Sequence, residues 1–424
     1  MENIYNNLKL LSHVIAKPTE KILDFSQLDN IIRSQIPLFN EVDNFEALYS
    51  DFITECDKFK DYVLYSELSE KNLVALGGLF GSGKSSFLNA FNADWILPDD
   101  IDPETSVPTY IVHNEDYQVC AVNIFENKIQ MEPTDVKKVS HGTSQIDEQQ
   151  IPSVTLGHML ESILIQTPKH NYANTAFLDT AGYAKPYSNY YTHKTDELGL
   201  RSKLNSSNFI LWFISAETEF ITQADINLIK SVRKNIPKLI IVTKADTKPA
   251  EVLDKMCDEI KLSLANNQIN YVDVLKFSSR KPQAYDSHKI KYYMDRWDNR
   301  IYLSSFAKNL KVLFRECINY YTKNADYEAV EQLKALQNIF FAQIKVIADT
   351  AGIYMTQPEQ VELIRKPLEV VREYKKLQQI RSNPAIKNLL ANHVFDSHQW
   401  RLQEGSSEYT TKIVNLINGV MPHQ

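Results

Sequence analysis

Eight consecutive residues, Gly78-Leu79-Phe80-Gly81-Ser82-Gly83-Lys84-Ser85, satisfy the spacing G-x-x-x-x-G-K-[ST]. An apolar run precedes them, and Ser86-Phe87-Leu88-Asn89-Ala90-Phe91 can open a helix behind them. That order of strand, glycine-rich turn and helix suits a phosphate cradle. Glycines let backbone amides converge where side chains would obstruct, and the helix N-terminus adds its positive end. Lys84 is expected to reach the β- and γ-phosphates, and the Ser85 hydroxyl to ligate Mg²⁺. Gly78, Phe80, Gly81, Ser82, Gly83 and Ser86 line the same candidate nucleotide site. Of the chain's 11 glycines, Gly77, Gly78, Gly81 and Gly83 fall within seven residues. Glycine is otherwise spent sparingly.

Three further segments narrow the ligand. Asp179-Thr180-Ala181-Gly182 follows the apolar Thr175–Leu178 stretch, so Asp179 can hold Mg²⁺ through water and the Gly182 amide can meet a γ-phosphate. Thr243-Lys244-Ala245-Asp246 follows the apolar Leu239–Val242 stretch. There Asp246 can accept two hydrogen bonds from the guanine N1–H and 2-amino group, a donor pair that adenine lacks. The Lys244 stem can pack along the base, and the expected ligand is GTP or GDP rather than an adenine nucleotide. Ser278 and Ser279, behind the apolar Val272–Phe277 segment, are candidates for the last guanine-contacting loop. Asp102-Pro103-Glu104-Thr105-Ser106-Val107-Pro108-Thr109 reads as a first switch, with Thr105 as the Mg²⁺ and γ-phosphate ligand and Thr109 in reserve. Lys84, Ser85, Thr105, Gly81 and Ser82 form the expected catalytic set. Ser85, Thr105 and Asp179 form the expected metal set.

These loops need a scaffold that brings them together. Short apolar segments at Leu73–Leu76, Tyr110–Val112, Val119–Ile124, Thr175–Leu178, Phe209–Ile214 and Leu239–Val242 alternate with helical stretches. Such alternation predicts an α/β fold with a mostly parallel, doubly wound sheet. On either side the pattern is helical. Phe45, Leu48, Phe52, Cys56, Phe59 and Val63 share one face of a helix of five or more turns within residues 5–70. Leu303, Phe306, Leu310, Leu313, Phe314 and Cys317 begin another, and Leu333, Leu336, Phe340 and Ile347 a third. The predicted organisation is an N-terminal helical segment over 1–68, a P-loop GTPase (G) domain over 69–297 and a C-terminal helical domain over 298–424 that packs with the N-terminal helices.

Bulk properties exclude other classes. The four cysteines are isolated, with no metal-ligand spacing. The longest wholly apolar run is six residues where a membrane span needs about 20. The formal net charge is -7, and residues 1–70 hold 6 basic against 13 acidic residues, so the remainder balances. No basic stripe for nucleic acid appears. The expected location is cytoplasmic, with peripheral membrane association as a second expectation. Residues 361–387 carry a net of +4 interleaved with apolar residues, which suits either anionic lipid or a solvated helix face. Charge complementarity makes these residues an attractive partner for the acidic N-terminal helices.

With GLFGSGKSSFLNAF, DPETSVPT, FLDTAG and IVTKAD in hand, the chain resembles the dynamin superfamily of large GTPases, particularly bacterial dynamin-like proteins. The resemblance covers about residues 70–295. Asp179 lies 95 residues after Lys84, a spacing that an enlarged dynamin-type G domain would supply. The resemblance implies Mg²⁺-dependent GTP hydrolysis at a low basal rate, raised when two G domains pair face to face. It implies partners of like kind, a homodimer or a hetero-oligomer with a related GTPase, and an output in membrane remodelling or assembly. Flanking helices would swing about hinges near 65–72 and 295–300. Gly81 stands where dynamins commonly carry a serine, and Tyr183 where Ras-like enzymes place a glutamine. The alternative is a slowly or non-hydrolysing GTP-binding subunit that works with a related partner.

Overall fold

The computed structural model describes residues 23–68, 70–92, 97, 107–140, 159–180, 193–218, 220–300 and 306–352. Thr105, Gly182, Tyr183, most of the 102–109 switch and the 361–387 stretch lie outside them. Contacts divide the chain into units 1–367 and 368–424, and every described residue belongs to the first.

Nine strands form one sheet: β1 Asn72–Gly78, β2 Thr109–His113, β3 Gln118–Asn123, β4 Lys128–Met131, β5 Leu160–Thr167, β6 Thr175–Asp179, β7 Phe209–Ser215, β8 Lys238–Thr243 and β9 Val274–Lys276. Their order is β4-β3-β5-β2-β6-β1-β7-β8-β9. The block β6-β1-β7-β8-β9 is parallel throughout. Its strands are covered on both faces, which is why β1, β7 and β8 read as unbroken buried runs. Beyond β6 the sheet turns mixed. β2 runs antiparallel to β6, β5 parallel to β2, and β3 and β4 close the edge as antiparallel strands. The mostly parallel sheet expected from the sequence is present.

β4 and β5 were not among the strands the apolar runs predict. In β5, Leu160-Glu161-Ser162-Ile163-Leu164-Ile165-Gln166-Thr167, the apolar triplet is flanked by polar residues that the fold nonetheless buries, such as Ser162 and Gln166. Polar burial of this kind masks a strand from a hydrophobicity reading.

The direction of winding changes at β1, which has β6 on one side and β7 on the other. In open α/β sheets such a reversal leaves a crevice at the carboxyl ends of the strands, where ligands collect. The helix after β1, Lys84–Phe91, is locked over the sheet by Phe87. Its ring lies 5.1 Å from Phe213 and 4.8 Å from Phe277. A fully buried phenylalanine contributes about 1.5–3 kcal/mol, so this one side chain holds the loop's following helix firmly.

The helix Phe45–Leu64 buries Leu48, Phe52, Cys56, Phe59 and Val63 as the periodicity predicts, with Phe45 half-buried. Its aromatic face meets the helix Phe306–Lys323, where Phe52 lies 5.0 Å from Phe314 and Phe59 5.3 Å from Phe306. Phe314 also packs on Phe340 of the helix Tyr327–Thr350. The acidic face meets the sheet domain. Asp61 binds Lys203, and Asp51 and Glu55 bind Arg233. Acidic residues of this helix are therefore answered by cations of the central domain; the 361–387 stretch that charge also suggested lies outside the described residues.

Both segments expected to hinge are anchored. Tyr65 is fully buried and donates to the Ser162 carbonyl at 3.1 Å. The Asn72 amide donates to the carbonyls of Trp297 and Arg300 at 3.2 and 2.7 Å, so the chain's entry to and exit from the sheet domain are pinned side by side. Trp297 stacks on Phe209 at 4.4 Å.

Candidate functional site

Because β6, β1, β7, β8 and β9 are parallel, the segments that follow them emerge along one edge of the sheet. β2 runs the other way, so its first residue, Thr109, arrives at that edge and pairs in register with Asp179. Residues 78–85, Asp179, Thr243–Asp246 and Ser278 thus collect from four strand ends.

The glycine-rich loop leaves β1 at Gly78, whose φ is +143°. A Cβ there would sit 2.5 Å from the Phe213 carbonyl oxygen and 2.9 Å from the Ser82 hydroxyl, so only glycine fits. Gly81 is different. Its φ of +73° favours glycine, yet nothing lies within 4 Å of where a Cβ would project. Phe80 and Gly81 are exposed, Ser86 is half-buried, and Ser82 is buried with a hydroxyl that has no hydrogen-bond partner.

Lys84 is buried, and its ammonium donates to the carbonyls of Gly78 at 3.3 Å and Leu79 at 3.2 Å. The side chain is folded back over its own loop. Burial pushes this ammonium down to about 8, against the opposing pull of Asp179. Asp179 is likewise raised by burial, opposed by Lys84 and by the Ser85 hydroxyl. Ser85 donates to Asp179 Oδ2 at 2.8 Å, while Asp179 Oδ1 is buried without a partner. A hydroxyl beside a carboxylate with one uncommitted buried oxygen is a hard-oxygen donor set, and it fits Mg²⁺.

At the other end of the edge, Asp246 accepts from the Ser278 hydroxyl at 2.6 Å and has Arg280 at 3.6 Å. The Ser278 hydrogen bond leads the effects that hold this carboxyl below its ordinary range. Ser278 is fully buried and accepts from the Lys281 amide at 3.2 Å, which fixes its hydroxyl toward Asp246; Ser279 is half-buried beside it. Lys244 adopts a left-handed backbone, φ +52°, and pairs with Glu217 at 2.5 Å.

The edge is cross-braced. Thr243 donates to the Ser82 carbonyl at 2.6 Å and approaches the Ile214 carbonyl at 3.3 Å. Its hydroxyl is turned toward the glycine-rich loop, which makes it a tie between the two loops. Thr180 hydrogen-bonds the Leu76 carbonyl and ties β6 to β1. Thr109, the reserve switch threonine, is buried, and its hydroxyl donates to the Val107 carbonyl at 3.0 Å. Glu217 and Thr180 were missed by the sequence reading. Neither sits in a spacing that announces it.

A mostly parallel sheet with a G-x-x-x-x-G-K-S loop at its winding reversal defines a P-loop GTPase-type fold. Residues 74–246 match the sequence model of the dynamin family, so this part of the chain is a dynamin-like GTP-binding domain. Similar solved structures include two chains of an oligomerised bacterial dynamin pair described as sensing and tethering membranes. They are 12% and 13% identical, cover 82% of this chain and 52% of theirs, and have TM-scores of 0.41 and 0.42. The chain thus spans about half the length of those dynamins. Era from Aquifex aeolicus bound to GDP and AlF4⁻ is 17% identical over 59% of this chain and 65% of its own, with a TM-score of 0.30. No curated protein matches significantly. Among the described residues, no helix is long and apolar enough to cross a membrane.

Proposed function

We propose that the protein is a dynamin-like GTPase that binds GTP with Mg²⁺ at this edge and hydrolyses it slowly when alone. The observation that carries the reading is the pair of side-chain couples at the two ends of one sheet edge. Ser85 is bonded to Asp179 at 2.8 Å, and Ser278 to Asp246 at 2.6 Å. The first suits a phosphate-bound cation and the second presents an oriented carboxylate to a base.

In this reading Ser85 and Asp179 hold Mg²⁺, with Thr105 as the third expected ligand. When bound, Mg²⁺ neutralises charge on the β- and γ-phosphates. Lys84 exchanges the Gly78 and Leu79 carbonyls for phosphate oxygens, which supports its charged form. The loop amides up to Ser86 cradle the phosphates, and Gly182 meets the γ-phosphate. Ser82 holds the loop's shape through its carbonyl bond to Thr243. The carboxylate of Asp246 accepts from guanine N1–H and the 2-amino group, positioned by Ser278, while Lys244 lies along the ring. The chain contributes position and field to the attack of water on the γ-phosphate.

The G domain spans 69–297, with helical segments 1–68 and 298–424 as its output. Pairing of two G domains, in a homodimer or with a related subunit, completes each site. Membrane remodelling or assembly rests on the dynamin-family match alone. The alternative is a regulatory GTP-binding subunit with little hydrolysis. The bare space at Gly81, where dynamins commonly carry a serine, favours it.

Titration with fluorescent GTP and ATP, with Mg²⁺ or with chelator, tests binding. Phosphate release at rising protein concentration, with and without liposomes, tests catalysis, and Lys84→Ala serves as control. GTP preference with release that climbs with concentration supports the enzyme. Intact GTP binding with flat release supports the regulatory subunit, and equal binding of ATP contradicts both.

A further inference from the structure

The acidic face of the Phe45–Leu64 helix holds a closed polar triangle. Asp61 Oδ2 accepts from the Tyr110 hydroxyl at 2.7 Å. Lys203 Nζ donates to Asp61 Oδ1 at 2.9 Å and Oδ2 at 2.6 Å, and to the Tyr110 oxygen at 3.1 Å. Next to it Ser202 donates to Asp57 at 3.0 Å. Tyr110 is fully buried, and the side chains of Asp61 and Lys203 are 14% and 21% exposed. Burial alone would lower the Lys203 ammonium, but Asp61 and Tyr110 hold it well above its ordinary value.

The two partners of Asp61 come from elements that border the phosphate end of the site. Tyr110 lies on β2 opposite Leu178, one residue from Thr109, which pairs with Asp179. Asp179 in turn holds Ser85. Lys203 lies on His193–Ser206, the first described helix after β6. A small shift of either element reaches Asp61 directly. For mere adhesion, packed apolar groups would serve as well without desolvating three polar ones, whereas removing one member leaves a buried charge unanswered.

We propose that Asp61, Tyr110 and Lys203 form a latch that couples occupancy of the phosphate site to the Phe45–Leu64 helix. This rests on the guanine-nucleotide reading above. By linkage, whatever nucleotide does to the latch, the latch does to nucleotide affinity by the same factor. The signal leaves through contacts along the helix itself, since the segments at its end and across from it are anchored by Tyr65 and Asn72.

The test uses the full chain with Tyr110→Phe, which removes one oxygen and keeps the ring beside Tyr65, and Lys203→Met. Hydrogen exchange of peptides covering 45–64 is measured with GDP and with a slowly hydrolysed GTP analogue, alongside the affinity for each. In the wild type the two nucleotides give different exchange over 45–64. Both variants bind nucleotide but lose that difference, and the ratio of analogue to GDP affinity moves about fivefold or more, within the usual range of coupling between sites. If Lys203→Met fails to fold, Tyr110→Phe alone decides. Wild-type exchange over 45–64 that ignores nucleotide, or variants that keep both the difference and the affinity ratio, would reduce the triangle to a static staple. Absence of any guanine-nucleotide binding in the wild type would overturn the function itself, an outcome separate from the other two.

Discussion

Arg233 and Glu55 offer a quantitative test of how firmly the Phe45–Leu64 helix is held to the sheet domain. Glu55 is 1% exposed, and one of its oxygens accepts from Arg233 Nη1 at 2.6 Å while the other has no hydrogen-bond partner. The guanidinium also reaches Asp51 at 2.9 Å, but that carboxylate is 38% exposed, so this arm contributes at most about 1 kcal/mol. Burial depresses the guanidinium, yet Glu55 and Asp51 more than offset it and raise Arg233 above its ordinary value. Replacing Arg233 by Met keeps most of the volume and leaves the Glu55 carboxylate buried and unanswered. The expected loss is about 3–5 kcal/mol, the usual range for stripping one partner from a buried pair. At a factor of ten per 1.4 kcal/mol, amide exchange in the 45–64 helix accelerates by about two to three and a half orders of magnitude. Arg233→Met/Glu55→Met removes both charges and should recover most of that protection. Native-state hydrogen exchange on the three proteins reads this locally, without requiring two-state unfolding of a large chain. A single variant whose exchange rises less than fivefold, or a double variant no better protected than Arg233→Met, would refute the reasoning.

Two further outcomes follow. Ser278→Ala deletes the hydroxyl that orients Asp246 at 2.6 Å. A hydrogen bond to a charged group is worth about 1.5–3 kcal/mol, so GTP affinity should fall at least about tenfold while ATP affinity stays put, as read by nucleotide titration. His170 is buried, donates through Nε2 to the Thr175 carbonyl at 2.8 Å and leaves Nδ1 without a partner. Burial pushes it down to about 4, against the Thr175 bond, so the unfolded chain binds the extra proton first. Stability from this group is complete above about pH 6.5 and is lost as pH falls to about 4. The total is about 3 kcal/mol, at 1.36 kcal/mol per unit. Denaturant titrations between pH 7.5 and 4.5 should show a steeper loss in the wild type than in His170→Gln.

Legibility in the sequence followed locality. β1, β7 and β8 were visible because strands buried on both faces must be continuous apolar runs, and the Phe45–Leu64 helix because its core contacts recur every three or four residues. The loop from Gly78 to Ser85 was legible for the same reason: its chemistry is contiguous. β5 was not, since burial of Ser162 and Gln166 depends on partners such as Tyr65 and Glu67, about a hundred positions away. The acidic charge of the N-terminal helix was plain, but its partners Lys203 and Arg233 are set by the fold and stand in no spacing that links them to it. Thr243 was recognised as part of a guanine-type loop, while the bond that commits its hydroxyl to Ser82 appears only once β8 and the glycine-rich loop are side by side.

The most direct test of guanine recognition replaces Asp246 by Asn and compares GTP with xanthosine triphosphate by equilibrium titration. Asp246 offers two acceptors to the two guanine donors. An amide offers one acceptor and one donor, which complements xanthine N1–H and its C2 carbonyl. Asp246→Asn is expected to lose at least about a hundredfold in GTP affinity, because one charge-assisted bond worth about 1.5–3 kcal/mol becomes a donor facing a donor and the other loses its charge. It should bind xanthosine triphosphate within about tenfold of the wild type's affinity for GTP. Unchanged GTP binding in Asp246→Asn, or equal loss of both nucleotides, would contradict guanine recognition by Asp246.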